Sequence, residues 1–332
     1  MVARLAVASL LVACTSGRAA AEDPAVERAC ADVANVGFRA SDRPSAEEVE
    51  ALSGCDAEAL YYGIGREADP AKARACSFVQ VDAGDESLFG GSNILMMVYA
   101  TGKGAKQDLR AATAVACRTS HAPAERQARV RHLLALGSPP LEFDLCDDVT
   151  SGFMQGACAA HAERLRDVAR ARRRSAAAAA FPDAARKELT ALEAAAARYF
   201  EARVQNEVDL SGTARAALSI AERAALEDGF VELLERAARR DPPPATAGAF
   251  AAADAALNAV YRRLMKRPPV FGDSWWGTVK PAGIGETQRA WLAYRDAWGR
   301  FGTALAAGSS PDAWLALLTR QRVEVLVPFD RD

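Results

Sequence analysis

"GETQRAWLAYRDAWGRF", residues 285–301, decides the fold. Read as a helix, it brings Gln288, Trp291, Arg295 and Trp298 onto one face, because residues three and four apart are surface neighbours. Of the chain's five tryptophans, Trp291 and Trp298 lie inside the stretch, Trp275 and Trp276 precede it, and Trp314 follows. Two flanking stretches repeat the spacing. Asp254, Leu257, Asn258 and Tyr261 share a face before it, and Leu317, Leu318, Arg322 and Val325 share one after it. Helices over about 246–267, 284–306 and 311–326 are predicted to close on one another through these stripes. An inward Arg295 then needs a polar partner, and Asp254 and Asn258 are placed to supply it. The stripe is read first as a register-setting wall. Its rival reading is a surface of Arg295, Asp296 and Trp298 that grips a protein or glycan.

No stretch alternates with the period of a strand, so the spacing predicts an all-α chain. Alanine-rich helices fill about 158–240, and Leu189, Leu192, Ala196, Tyr199, Phe200 and Val204 form one apolar stripe. Thr213 is a candidate cap for the helix that ends at "DPPP" (241–244). The Pro/Gly-rich loop "PPVFGDSWWGTVKPAGIG" (268–285) carries adjacent tryptophans that cannot both enter one core. Asp273, Trp275 and Trp276 are therefore the candidate partner-binding residues, since exposed tryptophan is typical of interface anchors.

The N-terminal half carries an internal echo. "YYGIGREADPAKARAC" (61–76) and "YATGKGAKQDLRAATAVAC" (99–117) place Gly65 with Gly104, Asp69 with Asp108 and Ala73 with Ala112, at one constant offset. That period suits stacked helical hairpins. Six cysteines, Cys30, Cys55, Cys76, Cys117, Cys146 and Cys158, all precede residue 160. Up to three disulfides are expected, with a set of buried free thiols as the alternative. Neighbouring ends of antiparallel helices favour Cys55–Cys76, a short intervening turn favours Cys146–Cys158, and Cys30–Cys117 is the remaining pair.

"MVAR" followed by "LAVASLLVA" has the form of an export signal and is too short to span a bilayer. Cleavage after "AAA" (19–21) gives a signal peptide over 1–21 and a periplasmic or extracellular protein. "LVAC" (11–14) instead offers Cys14 for lipidation and a membrane-anchored lipoprotein. Residues 1–150 hold 15 basic and 21 acidic side chains, and residues 151–332 hold 26 and 22. This split predicts two domains, 22–160 and 161–332, with a net charge of −2 that argues against nucleic-acid binding.

The common catalytic signatures are missing, including a nucleophile elbow, a metalloprotease helix and a phosphate loop, so no catalytic residue and no cofactor is assigned. His121, His132 and His161 are the only histidines. Cys158 with His161 is half of a zinc-ligand spacing, and the disulfide reading of Cys158 is preferred, so no metal is expected. Asp147 and Asp148 are read as caps of the following helix. "RARRR" (170–174) is read as a solvated helix face, with attraction of anionic polymers as the alternative.

"FAAADAALNAVYRRLM" (250–265), "TQRAWLAYRDAW" (287–298) and "LLTRQRVEVL" (317–326), in that order, resemble the lysozyme inhibitor LprI family. The matching positions are Asp254, Leu257, Asn258, Tyr261 and Leu264, then Gln288, Trp291, Tyr294, Arg295 and Asp296, then Thr319, Arg322 and Leu326. The core motif covers 246–327, and "NEVDLSGTARAAL" (206–218) suggests that the likeness begins near 180. Family members often carry cysteines around these motifs and this region has none, so helix packing alone must hold it. The "YATGKGAKQDLRAA" stretch resembles Sel1-like repeats, which are scaffolds for protein contacts. The two resemblances imply an exported, non-enzymatic binding protein whose partner is lysozyme or another muramidase, occluded at its cleft. A scaffold that recruits an envelope protein through its repeats is the alternative.

Overall fold

The computed structural model describes residues 23–85, 87–119, 122–137, 142–244, 246–270, 272–305 and 310–330. The export signal, Cys14 and His121 lie outside them. Among the described residues the chain is all-α, with thirteen α-helices and a single isolated bridge between Trp276 and Val279.

Asp-Pro steps start the early helices. In α1 (Pro24–Asp32) the Asp23 carboxylate accepts from the Ala25 N–H, and in α4 (Pro70–Asp82) Asp69 accepts from Lys72, while proline fills the first helical position. A reciprocal Ser45–Glu48 capping box opens α2 (Ala46–Ala51). Asp56 caps α3 (Ala57–Tyr62), and Asp108 caps α6 (Leu109–Arg118).

The echo in the sequence is an echo in space. The Asp69 N–H bonds the Leu60 carbonyl at 2.7 Å, and the Asp108 N–H bonds the Tyr99 carbonyl at 2.9 Å. Ala73 and Ala112 are both fully buried. The hairpin of α3 and α4 stacks on that of α5 (Gly91–Thr101) and α6. Gly104 sits at φ +95°, and a Cβ there would meet the Pro70 carbonyl oxygen at 2.3 Å, so only glycine lets the second turn seat on the first hairpin. Between α4 and α6, α5 buries Ile94 through Tyr99 without a break, as a helix covered on all sides must. Cys30–Cys117 ties α1 to α6, Cys55–Cys76 closes the first hairpin, and Cys146–Cys158 clamps the entry of α8 (Gly152–Ala179). The expected pairing is the observed one. No zinc half-site survives at Cys158, and His161 is instead bonded to Glu58 at 2.6 Å and stacked on Phe89.

Several local expectations are corrected. Ser151, not Asp147 or Asp148, caps α8; Asp147 accepts from the Asp144 N–H, and Asp148 pairs with His132 in the last turn of α7 (Pro123–Ala135). "RARRR" is a solvated face at Arg172, Arg173 and Arg174, which are exposed, but not at Arg170. Arg170 is 5% exposed and held by Glu163, Asp167, Glu227 and Asp228, while Arg173 pairs with Glu235. Thr213 does not cap α10 (Arg215–Ala238); its backbone lies against Gly152, where α8 and α10 begin side by side.

A second core begins at the far end of α8, with Ala177. It continues through Phe181 and α9 (Asp183–Asn206), whose predicted stripe from Leu189 to Val204 is buried. Here α11 (Ala249–Lys266), α12 (Pro281–Leu305) and α13 (Asp312–Asp330) do not simply close on one another. The broadest face of α12 lies on α9, running antiparallel, with Tyr199 stacked on Tyr294 at 5.3 Å. Most of the packing of α11 is on α13. Trp298 stacks on Trp314 at 5.3 Å and meets Phe230 and Phe301 edge-on. The aromatic stripe of 285–301 is thus wrapped by α9, α10 and α13.

Candidate functional site

The motif residues separate by depth. Trp291, Tyr294, Leu257 and Leu264 are buried apolar packing, and the fully buried Thr319 returns its hydroxyl to the Leu315 carbonyl. Gln288 and Arg322 form the buried polar centre with a residue the motif does not contain. Arg322, with its side chain 0% exposed, places two nitrogens on Glu207 at 2.7 and 2.6 Å and its Nε on the Gln288 Oε1 at 2.9 Å. Glu207 follows the last turn of α9 and also accepts from Arg203, which in turn holds Glu222. Each charge of this network therefore has an opposite partner, and every guanidinium nitrogen of Arg322 makes a hydrogen bond, the condition under which such a pair is tolerated. The signal for Glu207 was the "NEVDL" stretch (206–210), where an acidic residue follows a long apolar stripe.

Arg295 finds its expected partner in Asp254 but lies nearer the surface than expected. Its guanidinium lies across Trp291 and Phe250 and bonds Asp254 at 3.1 Å, with Asp296 adjacent. Asp254 is half-exposed and Asn258 exposed, and Asn258 bonds Asp254 rather than Arg295. Burial of Leu257, Val260 and Leu264 turns the Asp254–Asn258 edge of α11 toward water. Tyr261 is partly buried, its hydroxyl near Gly285.

The tryptophan loop divides its pair. Trp275 is 6% exposed, and its indole N–H donates to the Arg267 carbonyl; Trp276 is 58% exposed with one edge toward Phe329. A tight turn creates this split, with the Trp275 N–H on the Val279 carbonyl and the Val279 N–H on the Trp276 carbonyl. Gly277 at φ +51° makes the turn, and a Cβ there would collide with the Asp209 carboxylate. Asp209 in turn accepts from the Thr278 and Ser211 N–H groups, and these hydrogen bonds, Ser211's first, hold its carboxyl below the usual carboxylate range. Asp273 is not a free acid awaiting a cation, because Lys280 answers it at 2.7 Å, and that bond lowers its pKa. Near Trp276 in sequence, Val270 is 54% and Met265 40% exposed. The loop thus presents one tryptophan on a fixed turn.

Among the described residues, no cluster of three or more His, Cys, Asp or Glu is placed to hold a metal, and no helix is long and apolar enough to cross a membrane. No curated protein and no solved structure matches the chain. The segment that holds Asp254, Trp291, Arg295 and Arg322 does have a counterpart: residues 244–326 match the model of the family described as lysozyme inhibitor LprI, which places the likeness in the C-terminal region.

Proposed function

We propose that the protein is an exported, non-enzymatic binder of the cell envelope that inhibits lysozyme or another muramidase by blocking its glycan cleft. The observation that carries this reading is the LprI match over 244–326, with Trp276 held outward from a fixed turn inside the matched segment. Three disulfides suit an oxidising compartment, periplasmic or extracellular, with Cys14 as the anchor if the chain is lipidated. The N-terminal residues 22–160 form the disulfide-stapled unit, and residues 161–332 form the LprI-like unit. Within the loop, Trp276 is the contact residue and Trp275 its support. Arg295 and Asp296 flank the interface, and Arg322 and Gln288 hold the scaffold.

Titration of the oxidised protein against a panel of muramidases on peptidoglycan tests the proposal. Inhibition at stoichiometric excess is expected, and its absence at high micromolar excess sinks the reading. Trp276→Ala is expected to weaken inhibition about tenfold or more, as removal of an exposed aromatic anchor does, while leaving the melting temperature unchanged. The stacked hairpins of α3–α6 favour a second reading, a Sel1-like scaffold that recruits an envelope partner through residues 22–160. Retention of a partner by that segment, with no muramidase inhibition by the whole chain, would select it.

A further inference from the structure

A groove of about 370 Å³ runs between α10 and α13. One wall is Leu226, Gly229 and Leu233, three residues of α10 on one face; the other is Leu318 and Val325 of α13. Tyr199 and Tyr294 floor it.

Gly229 stands in the middle of α10, where glycine is the poorest choice after proline. A Cβ there would meet nothing within 4 Å, so packing within this chain does not require a glycine, and its effect is to keep the groove wide at its centre. The floor also carries a polar group. Tyr199 is 6% exposed, no hydrogen bond to its hydroxyl is found among the described residues, and that oxygen is not one of the fully buried unpaired atoms, so solvent in the groove reaches it. The groove offers no unanswered positive charge. Arg322 reaches its floor, but Glu207 and Gln288 occupy its guanidinium, and the exposed Glu324 at the mouth disfavours anions. Apolar walls, one free hydroxyl and a volume of this size are the features of a small-molecule site.

We propose that this groove binds an uncharged, largely apolar small molecule, its body between Leu226, Leu233 and Val325 and its one hydrogen-bonding group on the Tyr199 hydroxyl. The site is separate from the tryptophan loop and does not rest on the muramidase reading.

The test is fluorescence titration of the intact oxidised chain with N-phenylnaphthylamine, a neutral apolar probe with one N–H. Saturable enhancement is expected, and its absence overturns the proposal. Gly229→Phe fills the open space and is expected to weaken binding about tenfold or more, whereas Gly229→Ala stays within about twofold of the parent. Tyr199→Phe is expected to weaken it about threefold to tenfold through loss of one neutral hydrogen bond. Trp276→Ala leaves binding unchanged, which separates this site from the loop. Parent-like binding by a folded Gly229→Phe protein overturns the assignment; if that variant does not fold, Leu226→Trp, which narrows the same groove from its rim, decides in its place. Tighter binding of the anionic analogue anilinonaphthalenesulfonate overturns the uncharged specificity.

Discussion

Arg322 and Arg295 show how two arginines of one motif come to differ. Arg322 is wholly desolvated, so its stability depends on Glu207, and Glu207→Gln leaves it short of a charge with no water to compensate. That substitution is expected to lower stability by about 3–5 kcal/mol in urea denaturation. Arg295 keeps contact with solvent and pairs with the half-exposed Asp254. Arg295→Ala is expected to cost about 1–2 kcal/mol, the sum of a screened ion pair and lost stacking on Trp291 and Phe250. A larger loss for Arg295→Ala than for Glu207→Gln would contradict this ranking. Helical spacing alone put both arginines on inward stripes and could not rank them. The difference comes from Glu207, 115 residues from Arg322 and beyond the end of a helix, where no periodicity points.

At the level of elements, the helices were legible and their neighbours were not. Aspartate caps, N1 prolines and apolar stripes are local signals: Asp69 and Asp108 cap their helices and the stripe of α9 is buried, whereas the cap expected at Asp147 or Asp148 falls to Ser151. A stripe shows which face is buried without saying what buries it. For that reason the expected closure of α11, α12 and α13 on one another gave way to the packing of α12 on α9. The tryptophan loop was legible to the extent that one indole had to face outward. Which one does so depends on the Gly277 turn and on Asp209, a residue from a different segment. The Asp209 latch also sets a pH dependence. Its carboxyl titrates lower in the folded protein than in the unfolded chain, so its contribution is complete above about pH 4 and is lost as pH falls through the lower folded value. With 5-fluorotryptophan incorporated, the Trp276 resonance is expected to hold steady from neutral pH to about 4 and to move below it. In Asp209→Asn protein the step at low pH should vanish; a step of the same size there would assign the latch to another group.

Over the whole molecule, covalent and non-covalent stabilisation are segregated. Every disulfide lies in or beside the first core, and the second core holds itself by aromatic packing and buried ion pairs. By chain-entropy reasoning the long Cys30–Cys117 closure stabilises by about 4–5 kcal/mol and the short Cys146–Cys158 closure by about 3 kcal/mol. Calorimetry with a reductant is therefore expected to shift the melting of the first core strongly downward and to leave the second in place. A common shift of both would show the cores to be one cooperative unit. The Glu207–Arg322 pair, finally, bears on how this chain can be divided. The segment that carries the family likeness starts at residue 244 and contains the arginine, while its carboxylate lies upstream at the end of α9. A gene fragment cut at the edge of the likeness inherits a buried cation without its counterion, so the smallest heritable module of this half is longer than the signature by which it is recognised.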